Sequence, residues 1–154
     1  MQLSEQSKSL LEAVTRYSQS IDEATVAYLE GRGISKEVAQ QFMLGTVVDP
    51  IAGHEQFEGW LSIPYITALG IATSVKFRRL DDGKPKYGQP TGQKLHLYNV
   101  VDVAVDSAHI VVCEGELDTV IISGILGIPA VGVPGVAAWK PYYSKLLTGF
   151  DTVY

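Results

Sequence analysis

The residues from Ala108 onward constrain the fold most. Two short apolar runs, Ile110 to Cys113 and Ala130 to Val133, alternate with two helix-like stretches, Leu117 to Leu126 and Ala138 to Leu147, and a third run, Thr152 to Tyr154, follows. Gly127, Pro129, Pro134-Gly135 and Gly149 punctuate the pattern. Continuous apolar strands joined by helices define a parallel sheet covered on both faces, here a βαβαβ arrangement of right-handed units. In such sheets ligands bind in the crevice beyond the carboxyl ends of the strands. The first strand breaks there directly into Glu114-Gly115-Glu116-Leu117-Asp118.

Upstream the pattern is different. Residues 4–19 place Leu10, Leu11, Val14 and Tyr17 at helical spacing, and Ser20-Ile21-Asp22-Glu23 reads as a capping box that opens a second helix ending near Gly31 or Gly33. Ser35 predicts the cap of a third helix, Lys36 to Met43, which Gly45 would close in the left-handed conformation. Thr46 to Val48, Trp60 to Ile63 and Ile71 to Leu80 are β-rich, Asp82-Gly83 marks a tight turn, and Asn99 to Val105 reads as a short helix. The expected architecture is therefore α/β: a helical and short-strand lobe over residues 1–105, then a βαβαβ parallel sheet over 106–154.

Composition narrows the function. Hydrophobic content of 46% with 19% charged residues is that of a globular chain. The single cysteine, Cys113, excludes an internal disulfide and a cysteine-based zinc cluster. No apolar run reaches the roughly 20 residues of a membrane helix, and the polar start lacks a signal peptide's layout, so a soluble, cytoplasmic protein without membrane contact is expected. Net charge is −5, yet residues 75–94 hold six bases (Lys76, Arg78, Arg79, Lys84, Lys86, Lys94) against two acids (Asp81, Asp82). A basic strip on an acidic chain suits a phosphate-bearing ligand better than bulk charge attraction.

Glu114 leaves the strand end, Gly115 allows a tight turn with close backbone approach, and Asp118 falls in the first turn of the next helix. Two carboxylates aimed into one crevice are part of what an oxygen-loving Mg²⁺ requires. The competing reading is structural: Asp118 complements the helix dipole, and Glu114 and Glu116 are solvated loop acids. For the basic strip, the competing reading is a solvated hairpin face with Lys84 and Arg79 as bystanders.

AHIVVCEGELDTVIISGILGIPAVGVPGV resembles the first half of a Toprim domain, the metal-binding fold of DnaG-type primases, topoisomerases and related nucleases. YLEGRGISKEVAQQFMLG resembles the helical lead-in of DnaG-type primase cores, and GWLSIPYITALGIATSVKFRRL their strand pair. Pro85-Lys86-Tyr87 and Lys94-Leu95-His96-Leu97-Tyr98-Asn99 resemble the primase lysine-tyrosine and leucine-tyrosine segments, so the likeness runs from about Tyr28 to Tyr154.

The resemblance implies a nucleotidyltransferase that makes RNA primers on single-stranded DNA from nucleoside triphosphates with Mg²⁺ or Mn²⁺, in a phage or mobile replicon. It implies Glu114 as general acid/base or metal-proximal group and Asp118 as its supporting carboxylate. Lys76, Arg78, Lys86 and Lys94 become phosphate contacts, with Gly115 and Gly135 as nucleotide-binding positions. The family's second acidic motif, Asp-x-Asp, is missing, so a second primase polypeptide or the remainder of a longer chain would supply it. A replicative helicase is a further implied partner. Gly135-Val136 stands where primases commonly have Gly-Thr, and no Cys/His zinc module is found.

Two other classes follow from the same residues: a non-catalytic nucleic-acid-binding or assembly subunit with a relic Toprim half, and a fragment of a Toprim nuclease. Cys113 reads as a packed thiol, and His54, His96 and His109 lack metal-ligand spacing. Trp60 and Trp139 have two readings, stacking on bases and, ahead of it, core or interface packing, and Gly31-Arg32-Gly33 reads as a helix terminator.

Overall fold

The computed structural model describes residues 4–154, which form two compact units. One comprises the chain through Tyr65 together with Gly70–Lys94, and the other comprises Ile66–Leu69 with Leu95–Tyr154. Within the stretch after Gly70, the change from the first unit to the second falls between Lys94 and Leu95. Residues 95–105 belong with the second unit because their polar groups are used there: Tyr98 exchanges backbone hydrogen bonds with Gly132 (2.8 and 3.1 Å), and the Asp102 carboxylate accepts from the Ala130 amide (2.9 Å) and the Ser123 hydroxyl (2.7 Å).

The first unit opens with α1 (Glu5–Gln19), capped by the Ser4 hydroxyl and burying Ala13, Val14 and Tyr17. The expected capping box at Ser20 does not form. Ser20 closes α1 through its amide to the Tyr17 carbonyl (3.2 Å), and Asp22 caps α2 (Glu23–Gly31) by accepting from the Thr25 amide at 2.8 Å. An aspartate carboxylate both satisfies the free amide and complements the positive helix end. Ser35 caps α3 (Lys36–Gln41) as expected. Its exit differs: Met43, not Gly45, takes the left-handed backbone (φ 54). Gly45 answers another demand, since a Cβ there would stand 2.1 Å from the Tyr17 carbonyl oxygen.

Four strands follow in the order β1 (Gly45–Thr46), β2 (Leu61–Ile66), β3 (Ala72–Arg78) and β4 (Tyr87–Gly88). β1 pairs antiparallel with β2, and β3 with β4 through Phe77↔Gly88 and Arg78↔Tyr87. Leu61, Ile63, Val75 and Phe77 are fully buried. His54 joins them in the core, 5.0 Å from the Phe77 ring and 3.0 Å from the Tyr17 hydroxyl.

In the second unit a 3-10 helix, Val100–Ala104, precedes β5 (His109–Cys113), α4 (Glu116–Val120), β6 (Ala130–Gly132), α5 (Tyr143–Leu146) and β7 (Thr152–Val153). The sheet order is β6-β5-β7 and both pairings are parallel, as the alternating sequence predicts. The first helical stretch spans the expected length and the second is shorter. α4 widens into a π-helix over Ile121–Ile125, and Gly127 (φ 66) ends the segment. α5 starts late because Pro141 has no amide to donate and disfavours helical backbone at the residue before it. Among the described residues, no helix is long and apolar enough to cross a membrane.

Candidate nucleic-acid and metal sites

The basic strip divides into two faces of one hairpin. Arg79 faces one way: its guanidinium pairs with the Asp81 carboxylate (2.6 and 2.9 Å) and lies 5.2 Å from the Trp60 ring. Asp81 also accepts from the Gly83 amide at 2.9 Å. Those hydrogen bonds, the Arg79 one foremost, hold the Asp81 carboxyl down at about 2. Arg79 is thus committed to the hairpin tip.

Arg78 and Lys76 share the other side. The Arg78 guanidinium lies over two tyrosine rings, 5.2 Å from that of Tyr28 and 4.8 Å from that of Tyr87, and it donates to the Tyr87 hydroxyl. The Lys76 ammonium lies 4.5 Å from the same Tyr87 ring. Cations stacked on rings hold a fixed geometry while keeping their charge, which suits phosphate recognition. Lys86 is exposed beside Tyr87, and its carbonyl accepts from the Arg79 amide at 2.9 Å. Lys94 is exposed next to Gln93, whose side chain bonds both the amide (2.8 Å) and the carbonyl (2.7 Å) of Val75 as a strand would. Tyr28 opens the primase-like lead-in segment, but helical spacing alone does not show what a half-buried tyrosine covers.

In the second unit Glu114 is exposed just past β5, and Asp118 is exposed on α4. Of the three carboxylates in this turn, these two are exposed. Glu116 is neither a ligand candidate nor a solvated loop acid: it is 3% exposed, and its charge, together with burial as the larger cause, pushes the Tyr98 phenol far up. Burial likewise raises the Cys113 thiol, with Asp118's charge adding to it and a hydrogen bond from Thr119 opposing, so Cys113 is a packed thiol.

Crowding differs among the glycines of this unit. Gly115 caps α4 with extended backbone (φ −150) open to any residue, and a Cβ there would meet only Asp118 Oδ2, at 3.8 Å. Gly135 has no crowding neighbour, and its carbonyl accepts from the Ala138 amide at 2.9 Å. The crowded glycine is Gly132, where a Cβ would stand 2.5 Å from Thr119 Oγ1.

Glu114 and Asp118 supply hard oxygen donors, which fit the protein's share of a Mg²⁺ or Mn²⁺ site completed by other groups and substrate phosphates. Among the described residues, no three His, Cys, Asp or Glu side chains are grouped to hold a metal ion.

The fold is that of the DnaG primase catalytic core. A DnaG primase catalytic domain bound to single-stranded DNA superposes with a TM-score of 0.73 at 18% identity, over 97% of this chain and 61% of that one. A DNA primase domain from Pseudomonas aeruginosa gives 0.73 at 22% identity, over 94% and 59%. The chain thus spans about three fifths of these structures. In sequence it is 41% identical over 101 residues to the Gene 57 protein of Mycobacterium phage D29, covering 63% of this chain and 66% of that protein. No family model matches the chain.

Proposed function

We propose that the chain is the amino-terminal part of a phage DNA primase that binds single-stranded DNA and contributes to joining ribonucleotides into an RNA primer. The observation that carries this reading is the position of Glu114 and Asp118, exposed at the carboxyl end of β5 within a primase-core fold. The phage relative supports the source.

The parts divide the work as phosphoryl transfer demands, through positioning and charge neutralisation. Lys76, Arg78, Lys86 and Lys94 contact phosphates of the template or of the incoming nucleotide. Glu114 takes the proton of the attacking hydroxyl or holds a divalent metal, and Asp118 supports the same site. Mg²⁺ or Mn²⁺, when bound, neutralises charge on the triphosphate. The βαβαβ segment is the first half of a Toprim domain, and a second polypeptide or further chain carrying Asp-x-Asp completes the ligand set in the host cytoplasm, where a replicative helicase would deliver the template.

Primer synthesis is the test. The chain mixed with a polypeptide that begins at an Asp-x-Asp strand, a single-stranded template, Mg²⁺ and ribonucleotides should make primers, and Glu114→Gln should abolish synthesis while leaving strand binding intact. Full synthesis by Glu114→Gln would refute the assigned role, and full activity of the chain alone would refute the need for a second polypeptide. The two-carboxylate set favours a second reading, a non-catalytic strand-binding subunit. That reading gives salt-sensitive binding weakened by Lys86→Ala and no synthesis under any mixture.

A further inference from the structure

The second unit carries a cluster of aromatic side chains that the proposed primase chemistry does not use. Tyr143 is 1% exposed and sits in the core with Leu97, Ile110, Val131, Val133 and Leu147. Two more rings rest edge-to-face on it: Trp139 at 5.5 Å and 84°, and Tyr142 at 4.7 Å and 74°. Both stay open to solvent, Trp139 at 43% and Tyr142 at 49% exposure. A long hydrogen bond of 3.4 Å ties the Tyr142 hydroxyl to His96 Nδ1. The outer rings are therefore held from below by a buried ring, which lowers the entropy lost when a ligand covers them.

Charge indicates the ligand. In a chain of net charge −5, residues 119–150 contain no Asp or Glu, and their charged residues are Lys140 and Lys145. Both lysines are exposed, one beside Trp139 in sequence and the other three residues past Tyr142. An aliphatic protein surface would have no need of lysines, and a purely electrostatic contact would have no need of exposed rings. Rings interleaved with cations suit bases on a phosphate backbone.

We infer that Trp139 and Tyr142 form a stacking platform for the bases of single-stranded nucleic acid, with Lys140 and Lys145 meeting the flanking phosphates. This rests on the reading that the chain binds single strands, but it assigns a separate site, contacting bases instead of phosphates alone.

The experiment compares two probes, an oligothymidylate and an abasic strand of the same length, which share phosphates and differ in bases. Trp60→Phe provides a background in which tryptophan emission reports Trp139 alone. Oligothymidylate should quench that emission. The double variant Trp139→Ala/Tyr142→Ala should bind oligothymidylate about tenfold more weakly and the abasic strand unchanged. Trp139→Phe/Tyr142→Phe, which keeps both rings, should recover most of the affinity, showing that lost stacking and not misfolding is responsible. Lys86→Ala should weaken both probes. If the double alanine variant binds oligothymidylate like the parent while Lys86→Ala weakens it, the platform is refuted and strand binding stands. Equal weakening on both probes also refutes the platform, and a parent that binds neither strand refutes both proposals.

Discussion

Replacing Gly132 by alanine tests how the second unit positions its acidic turn. The added Cβ would lie 2.5 Å from Thr119 Oγ1, 3.1 Å from the Gly115 carbonyl oxygen and 3.3 Å from Tyr98 Cβ. None of the three can yield easily. Thr119 is fully buried and donates to the Gly115 carbonyl at 2.8 Å, and Tyr98 is bonded through its backbone to Gly132 itself. Overpacking of this kind costs about 1–3 kcal/mol, and displacing the Thr119 hydroxyl costs about 0.5–1.5 kcal/mol more. The entropy that alanine removes from the unfolded chain returns roughly 0.4–1 kcal/mol. The net destabilisation should be about 2–3 kcal/mol. Urea unfolding in the Trp60→Phe background follows this unit through Trp139 emission. Thr119→Ala removes the nearest obstacle, so the double variant should be less destabilised than the sum of the singles by about 1 kcal/mol. A Gly132→Ala variant within about 0.5 kcal/mol of its parent, or strictly additive singles, would refute the packing reasoning. Gly115→Ala is the control: with ordinary contacts and extended backbone, it should cost less than about 1 kcal/mol.

Three further outcomes follow from the first unit. Burial holds the His54 imidazole below its ordinary range, only partly opposed by Glu55, so the unfolded chain binds the proton more readily. Stability is therefore full above the unfolded value of about 6.5 and falls as pH drops through the lower folded value; His54→Gln should flatten the urea midpoint between about pH 7 and 5. The Ser74 hydroxyl is buried without a hydrogen-bond partner among the described residues, so Ser74→Ala should raise stability by about 1 kcal/mol in urea titrations, and a loss of that size would contradict the packing. Arg78→Lys keeps the charge but loses the planar guanidinium that lies over the Tyr28 and Tyr87 rings, so on the proposed reading single-strand affinity should drop several-fold, whereas Arg79→Lys should change it little; fluorescence anisotropy compares the two.

The sequence showed most clearly what depends on local pattern. Apolar runs separated by Gly and Pro placed β5, β6 and β7 in parallel order, and Ser35 marked its helix, because strand burial and capping are written in neighbouring residues. Features that depend on distant partners were not legible. Ser20 lost the cap to Asp22, whose amide is also held by Thr46 Oγ1 at 3.0 Å, a contact across 24 positions. Gly45 and Gly132 are crowded by Tyr17 and Thr119, whereas Gly115, which motif spacing made prominent, is not crowded at all.

The same distinction bears on the acids. Glu114, Glu116 and Asp118 are equivalent in a list of carboxylates, but the turn after β5 exposes the first and third and buries the second. A buried carboxylate is expensive unless its surroundings fix it, and the Glu116 charge is close enough to Tyr98 to help raise its phenol, while Tyr98 itself bridges to Gly132. The turn that presents Glu114 and Asp118 thus carries a buried carboxylate between two exposed ones. Substituting Glu116 should therefore damage stability first and chemistry second, whereas substituting Glu114 should do the reverse. That ordering, measured by urea midpoint against primer yield in the reconstituted mixture, separates a scaffold acid from a working one within three residues.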